Sequence, residues 1–241
     1  MSTYVLVHGA WHGGWCWQRV AALLRAQGHE VLTPSLAGMG EHAHLLSPQI
    51  TLETHVTDIV NLCKRYEVRH AVLVGHSYGG MIVTGAADRL HGTEHIARLV
   101  YLDALVPEHG QGWPDFNKPD QIAARHYAAR DAGLGLALPT AQASAFGISD
   151  AGDLAWVDRN LKPHPYGTYL STLALPELAK GGGAAALPRT YIDCTAPFYS
   201  DFNGLKARLK NDKKWKYLEL TTSHDAMVTA PKELTALLLA A

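Results

Sequence analysis

The chain has 241 residues, 47% hydrophobic and 18% charged, so it is long enough for one globular domain and is neither disordered nor fibrous. Its net charge of -1 provides no broad basic surface, which argues against nucleic acid and anionic membranes as partners. Three widely spaced cysteines argue against disulfides and a zinc cluster. With no basic leader and no long apolar run, these features predict a cytoplasmic protein.

Short apolar runs alternate with segments of helical period along most of the chain. The predicted strands are residues 4–7, 30–33, 71–74, 97–102, 190–194 and 215–220. The predicted helices between them are residues 17–26, 52–66 and 80–90. Strands that alternate with helices form a mostly parallel sheet covered on both faces. The sequence therefore predicts an α/β fold with a doubly wound sheet.

The alternation stops between residues 107 and 187. This stretch contains prolines, glycines, aromatics and short helical pieces such as residues 119–131, without a clear strand. We expect it to form a small cap inserted over the strand ends of a single domain, residues 1–241. A basic stretch follows at residues 206–216, and we interpret it as a solvated helix face and turn without a function.

A serine follows the predicted strand 71–74 in the run Gly75-His76-Ser77-Tyr78-Gly79, and a helical segment comes next. A G-x-S-x-G motif between a strand and a helix is typical of a nucleophile elbow, where small residues allow a tight turn. Ser77 is therefore the predicted nucleophile, with His76 beside it supporting the turn or lining a pocket.

A serine hydroxyl needs a base within hydrogen-bond distance. His224 is the candidate, because it follows the last predicted strand and therefore lies at the same carboxyl edge of the sheet as Ser77. The oxyanion of an acyl-transfer intermediate also needs donors. We expect them to be the backbone N–H of Tyr78 and, in the glycine-rich loop after the first strand, that of Ala10.

The motifs together resemble one branch of the α/β-hydrolase superfamily, which contains plant methylesterases, hydroxynitrile lyases and small bacterial esterases. The resemblance rests on V-H-G-A-W-H-G-G-W-C-W near the start, the serine elbow, residues 100–107, residues 191–194 and His224-Asp225-Ala226-Met227. It implies the α/β-hydrolase fold, a catalytic triad, and no metal or organic cofactor. The lyases of this branch carry threonine where this chain has Gly9 and lysine where it has Asp225, so the resemblance favours hydrolysis.

The acid of the triad is where the chain departs from its relatives. The resembling esterases place it three residues after the position of Cys194, and here that position is Pro197. Haloalkane dehalogenases of the same superfamily place their acid after the strand that follows the nucleophile helix, which corresponds to Asp103. Asp103 is therefore the preferred candidate. Asp193 and Asp201 remain open as alternatives.

The expected substrate is a small neutral ester or carbamate ester. Aromatic residues of the first loop and the cap suit an apolar pocket, and a flat heteroaryl carbamate would stack on such walls. With His76, the predicted pocket residues are Trp11, Phe146 and Trp156. Two other functions stay open, namely a cyanohydrin lyase and a small-molecule receptor on a hydrolase fold. The sequence does not indicate an oligomeric state.

Overall fold

A computed structural model describes residues 1–241, and eight strands form its two sheets. The strands are β1 (Thr3–Val7), β2 (Glu30–Leu32), β3 (Ala71–His76), β4 (Ile96–Leu102), β5 (Ala137–Leu138), β6 (His164–Pro165), β7 (Arg189–Cys194) and β8 (Lys216–Leu220). Six of them form a parallel sheet in the order β2-β1-β3-β4-β7-β8, and β5 pairs with β6 antiparallel. The predicted α/β fold with a doubly wound parallel sheet is confirmed.

Ten α-helices accompany the strands. They are α1 (Gln18–Ala26), α2 (Leu52–Arg65), α3 (Gly79–Arg89), α4 (Pro119–Asp131), α5 (Ala151–Asn160), α6 (Gly167–Leu170), α7 (Pro176–Ala179), α8 (Leu205–Asn211), α9 (Ala226–Thr229) and α10 (Pro231–Ala240). Helix α1 packs against α10, and α2 packs against α3. Because right-handed crossovers place α1 and α2 on opposite faces, the sheet is covered on both sides.

The centre of the sheet explains where the site forms. Every residue of β3 is buried, as is expected of a parallel strand with helices on both faces. From β1 the chain moves outward to β2, whereas from β3 it moves outward to β4 in the other direction. The loops after β1 and β3 therefore diverge at a topological switch point, which is where open α/β sheets bind ligands.

The segment between β4 and β7 contains the small sheet and helices α4 to α7. Strands β4 and β7 are direct neighbours, so this whole segment leaves the main sheet and returns to it. We propose that residues 107–187 of this segment act as a cap. No helix combines the length and the apolar character that a membrane crossing requires.

Candidate active site

Ser77 occupies the sharp turn between β3 and α3. Its φ of +54° lies in the left-handed region, which is strained for a non-glycine residue and common at functional sites. A Cβ on Gly75 would lie 2.6 Å from the carbonyl oxygen of Gly79, and a Cβ on Gly79 would lie 2.7 Å from that of His8. Only glycine fits at both places, so the motif enables the turn that holds Ser77 at the end of the central strand.

Ser77 lines a cavity of about 340 Å³, near the lower end of the volumes usual for small-molecule sites. The cavity is bordered by the loops after β1, β3 and β4, by the proposed cap and by the loop after β7. Six of its fourteen lining residues are aromatic. Three of its polar residues, Asn117, Gln121 and Arg125, lie on α4 or just before it. The lining comprises Ala10, Trp11, Ser77, Tyr78, Leu105, Trp113, Asn117, Gln121, Ala124, Arg125, Tyr169, Tyr199, Ser200 and Phe202.

His224 lies in the loop between β8 and α9, and Asp103 follows β4 directly. Nδ1 of His224 lies 2.6 Å from Oδ2 of Asp103, and both side chains are buried. An ionised carboxylate only accepts hydrogen bonds, so Nδ1 carries a proton, and in the neutral imidazole Nε2 keeps a free lone pair. Asp103 also has a positive φ, +44°. This is the contact expected between the acid and the base of a triad.

The two alternative acids lie elsewhere. The Asp193 carboxylate lies 2.7 Å from Nζ of Lys206 and accepts a 2.8 Å hydrogen bond from the Tyr217 hydroxyl. Asp201 is exposed and accepts a hydrogen bond from the N–H of Asn203. Neither carboxylate contacts the imidazole of His224.

The pKa of Asp103 reflects two opposing effects. Burial raises it, but the hydrogen bond from His224 and the charge of Lys206 lower it more, so the pKa lies below its ordinary value. Asp103 is therefore an anion at neutral pH. In that state it can accept from His224 and stabilise an imidazolium ion.

Aromatic rings hold the imidazole of His224 in place. The Tyr199 ring stacks on it with a centroid distance of 3.8 Å and an interplanar angle of 12°. Phe146 stacks at 6.2 Å, and Phe202 lies tilted at 6.5 Å. His224 is only 1% exposed, and these rings pack around the imidazole that bonds Asp103.

Two backbone amides beside Ser77 have no acceptor in the protein. The N–H groups of Ala10 and Tyr78 donate to no backbone or side-chain group, although both residues are buried and line the cavity. Buried N–H groups without an acceptor are rare. The next residue, Trp11, has a φ of +64°, a strained value for a bulky side chain. We propose that the two N–H groups form an oxyanion hole.

A buried ion pair connects the loop of Ala10 with the loop of His224. Nδ1 of His12 lies 2.7 Å from the carbonyl oxygen of Ala10, and its Nε2 lies 2.9 Å from Oδ2 of Asp225. Burial lowers the pKa of His12, but Asp225 raises it more, so it lies above 6.5. The ring can thus donate from both nitrogens as an imidazolium ion. His12 and Asp225 thereby fix Ala10 relative to His224.

His76 supports the same loop. Its Nε2 donates to the backbone carbonyl of His224 at 3.0 Å, and the two rings lie 4.6 Å apart. Burial, helped by the nearby His224, lowers the pKa of His76 to about 3, so the ring stays neutral. The His76 ring does not line the cavity, and its hydrogen bond joins the end of β3 to the loop of His224.

The pocket predictions differ from the structure at three of four residues. Trp11 lines the cavity, but His76, Phe146 and Trp156 do not. Phe146 packs behind the site against His224 and Trp11, and Trp156 packs on Trp15. Aromatic character alone does not indicate which side of a loop or helix a ring occupies. The sequence also missed several lining residues, including Trp113, Arg125, Tyr169 and Tyr199, which no motif marks.

Three buried groups offer possible metal ligands within 4.8 Å of one another, namely His76, His224 and Asp225. Each already makes a hydrogen bond that organises the site: His224 to Asp103, His76 to the backbone of residue 224, and Asp225 to His12. We therefore assign the three groups to positioning of the base.

Replacing Asp225 by asparagine is expected to lower the free energy of unfolding by about 3 to 5 kcal/mol, because His12 loses its buried counterion. The pKa of Asp225 is lowered and that of His12 is raised. The ion pair therefore stabilises the fold fully between pH 3.8 and pH 6.5, the ordinary pKa values of the two groups. This stabilisation is lost as the pH rises through the raised pKa of His12.

Urea unfolding from pH 4 to 10 measures this effect. Glu67→Gln, on an exposed turn, is the matched control and should change stability by less than about 0.5 kcal/mol. The ion pair would be contradicted if Asp225→Asn lost no more unfolding free energy than Glu67→Gln, or if its loss grew toward alkaline pH.

Known proteins resemble this chain in sequence and in fold. The model of the Alpha/beta hydrolase family matches residues 4–237. The chain is 40% identical to the carbendazim hydrolyzing esterase of Nocardioides sp. (strain SG-4G), over 97% of both chains. It is 33% identical to Methylesterase 10 of Arabidopsis thaliana, over 53% of this chain and 43% of that protein. An extracellular alpha/beta-hydrolase from a Paenibacillus species shares the fold, with a TM-score of 0.83 at 22% identity over 100% of this chain and 99% of its own. The chain therefore belongs to the alpha/beta hydrolase family.

Proposed function

We propose that this protein is a serine esterase that cleaves a small neutral ester or carbamate ester through an acyl-enzyme intermediate. The observation that carries the proposal is the setting of Ser77. It lies in a strained turn on the cavity wall, beside the unpartnered amides of Ala10 and Tyr78. A nucleophile and two oxyanion donors thus border the same small space.

In the first half of the reaction, the Ser77 hydroxyl oxygen attacks the carbonyl carbon of the substrate. Nε2 of His224 accepts the hydroxyl proton, because its Nδ1 already donates to Asp103. The carbonyl oxygen becomes an oxyanion, to which the amides of Ala10 and Tyr78 donate. Collapse of the intermediate expels the alcohol, which takes the proton from His224 and leaves Ser77 acylated.

In the second half, a water molecule replaces the alcohol. His224 accepts a proton from the water as it attacks the acyl carbon, and it then returns a proton to the Ser77 oxygen. An ester yields a carboxylic acid in this step, and a carbamate ester yields a carbamic acid. The free serine is restored, and no redox step is involved.

The cavity supports a flat or compact substrate. The aromatic rings of Trp11, Trp113 and Tyr169 offer stacking surfaces, and the volume of about 340 Å³ limits the size. Arg125 lies over the Trp11 ring at 5.0 Å and forms no ion pair, so its guanidinium can donate to a substrate oxygen. The 40% identical relative is named for carbendazim, a benzimidazole carbamate, which agrees with an aryl carbamate as substrate.

The competing lyase function is disfavoured at two positions. A Cβ on Gly9 would lie 2.9 Å from Nδ1 of His76 and 3.0 Å from Cβ of Ser77, so the threonine of the resembling lyases would require a shift of the elbow. Asp225 carries no cationic side chain, is buried against His12 and does not line the cavity, so the residue at this position offers no cation to a departing cyanide.

Covalent labelling and a substrate panel test the proposal. A fluorophosphonate probe should modify Ser77, as located by peptide mass mapping, and should leave Ser77→Ala unlabelled. The panel contains p-nitrophenyl acetate and butyrate, an aryl carbamate, a benzimidazole carbamate and mandelonitrile. We expect hydrolysis of at least one ester or carbamate and no cyanide release. Cleavage of mandelonitrile faster than that of every ester and carbamate in the panel would indicate a lyase. Binding of a panel compound, with neither its turnover nor labelling of Ser77, would indicate a receptor.

A further inference from the structure

Lys206 is buried, although it begins the basic stretch that the sequence predicts to be solvated. That prediction is wrong for this residue, whose side chain is 7% exposed. Lys206 lies in the first turn of α8, where its neighbours Leu205 and Leu209 are buried against the core. The side chain of Lys206 is therefore buried on the same helix as these two leucines. A buried ammonium group is costly unless anions surround it.

Two carboxylates surround the ammonium group. Nζ of Lys206 lies 2.5 Å from Oδ1 of Asp103 and 2.7 Å from Oδ1 of Asp193. The rings of Phe198 and Phe202 lie 5.3 and 5.5 Å from it and complete its surroundings. Asp103 therefore has a partner at each carboxylate oxygen: the Lys206 ammonium group at Oδ1 and Nδ1 of His224 at Oδ2.

We propose that Lys206 is a positioning residue of the esterase, which holds the Asp103 carboxylate in the orientation that accepts from His224 and balances its negative charge. Asp193 completes the unit by holding Lys206 from the other side. The inference rests on the proposed serine-esterase function. It extends the triad to a linear array in the order His224, Asp103, Lys206, Asp193.

The charge of this array determines how easily His224 becomes protonated. Removing Lys206 leaves two carboxylates uncompensated and favours the imidazolium ion, so more alkaline conditions are needed to obtain the free base. Removing the charge of Asp193 makes protonation of His224 harder, because the positive charge of Lys206 then opposes the imidazolium ion more strongly. The other titratable groups that face the array are His76, Asp225, Tyr199, Tyr217, Tyr191, Cys194 and, on the exposed side of Asp193, Lys210.

The test is the pH profile of kcat/KM for the best substrate of the panel, measured for Lys206→Met, Lys206→Arg and Asp193→Asn. For Lys206→Met we expect the acid limb to move about one unit to higher pH, kcat to fall roughly ten-fold and KM to stay within two-fold. Lys206→Arg should restore the limb to within about 0.3 units, because it keeps the charge. Asp193→Asn should move the limb to lower pH.

The outcomes separate this inference from the proposed function. If the wild-type protein hydrolyses no ester or carbamate, the proposed function fails. If the wild type is active and the acid limbs of Lys206→Met and Asp193→Asn coincide with that of the wild type, the role of Lys206 is overturned. If circular dichroism shows that Lys206→Met does not fold, Asp193→Asn alone decides, and an unshifted or alkaline-shifted limb overturns the inference.

Discussion

Replacing Ser77 by alanine is expected to lower kcat by about 10⁶-fold, and His224→Ala should lower it by a similar factor. The two effects are similar because the hydroxyl cannot attack without its base, and the base has no role without the hydroxyl. Stopped-flow and long-time assays of p-nitrophenyl ester cleavage measure the loss, and thermal unfolding checks that each variant still folds.

A matched serine variant controls for nonspecific effects. Ser144 is exposed in the cap, away from the cavity lining, so Ser144→Ala should retain wild-type kcat and KM. If Ser77→Ala or His224→Ala kept more than a few per cent of wild-type turnover, the proposed nucleophile and base would be wrong.

Asp103→Asn is expected to reduce kcat by up to about 10⁴-fold. The asparagine amide can donate to Nδ1 of His224, which moves the ring proton to Nε2 and removes the lone pair that we propose accepts the Ser77 proton. The change also removes one of the two carboxylates around Lys206, so some loss of stability should accompany it. The loss of kcat is measured at the alkaline plateau, where protonation of His224 does not contribute.

Asp193→Asn is the matched comparison, because both aspartates contact Lys206 but only Asp103 contacts His224. The kcat of Asp193→Asn at the alkaline plateau should fall less than ten-fold, whereas that of Asp103→Asn should fall by up to about 10⁴-fold. A loss for Asp193→Asn as large as that for Asp103→Asn would contradict Asp103 as the acid of the triad.

The sheet was predictable because its strands are buried runs of β-branched and apolar residues. All six predicted strands are present within two residues of their expected ends, and so are helices α1, α2, α3 and α4. The pair β5 and β6 was not predicted, since strands of two residues have no periodicity. Its pairing depends on the fold of the cap around it.

The positions of Ser77, His224 and Asp103 followed from their places at strand ends, because parallel strands bring their carboxyl ends to one edge. Lys206 and Tyr199 lack such a signal. Lys206 is 103 positions from Asp103 along the chain, and only the tertiary fold brings them together. The pair His12 and Asp225 is separated by 213 positions and was missed for the same reason.

The loop between β7 and α8, residues 195–204, contains no member of the proposed triad, because Pro197 stands where the related esterases carry their acid. The loop nevertheless supplies Tyr199, Ser200 and Phe202 to the cavity. Sequence changes at Ser200 can therefore alter which substrates are accepted without removing a reacting group. For directed evolution, this separation makes Ser200 a position at which selectivity can be diversified while turnover is retained, whereas Tyr199 and Phe202 contact His224 and should be kept.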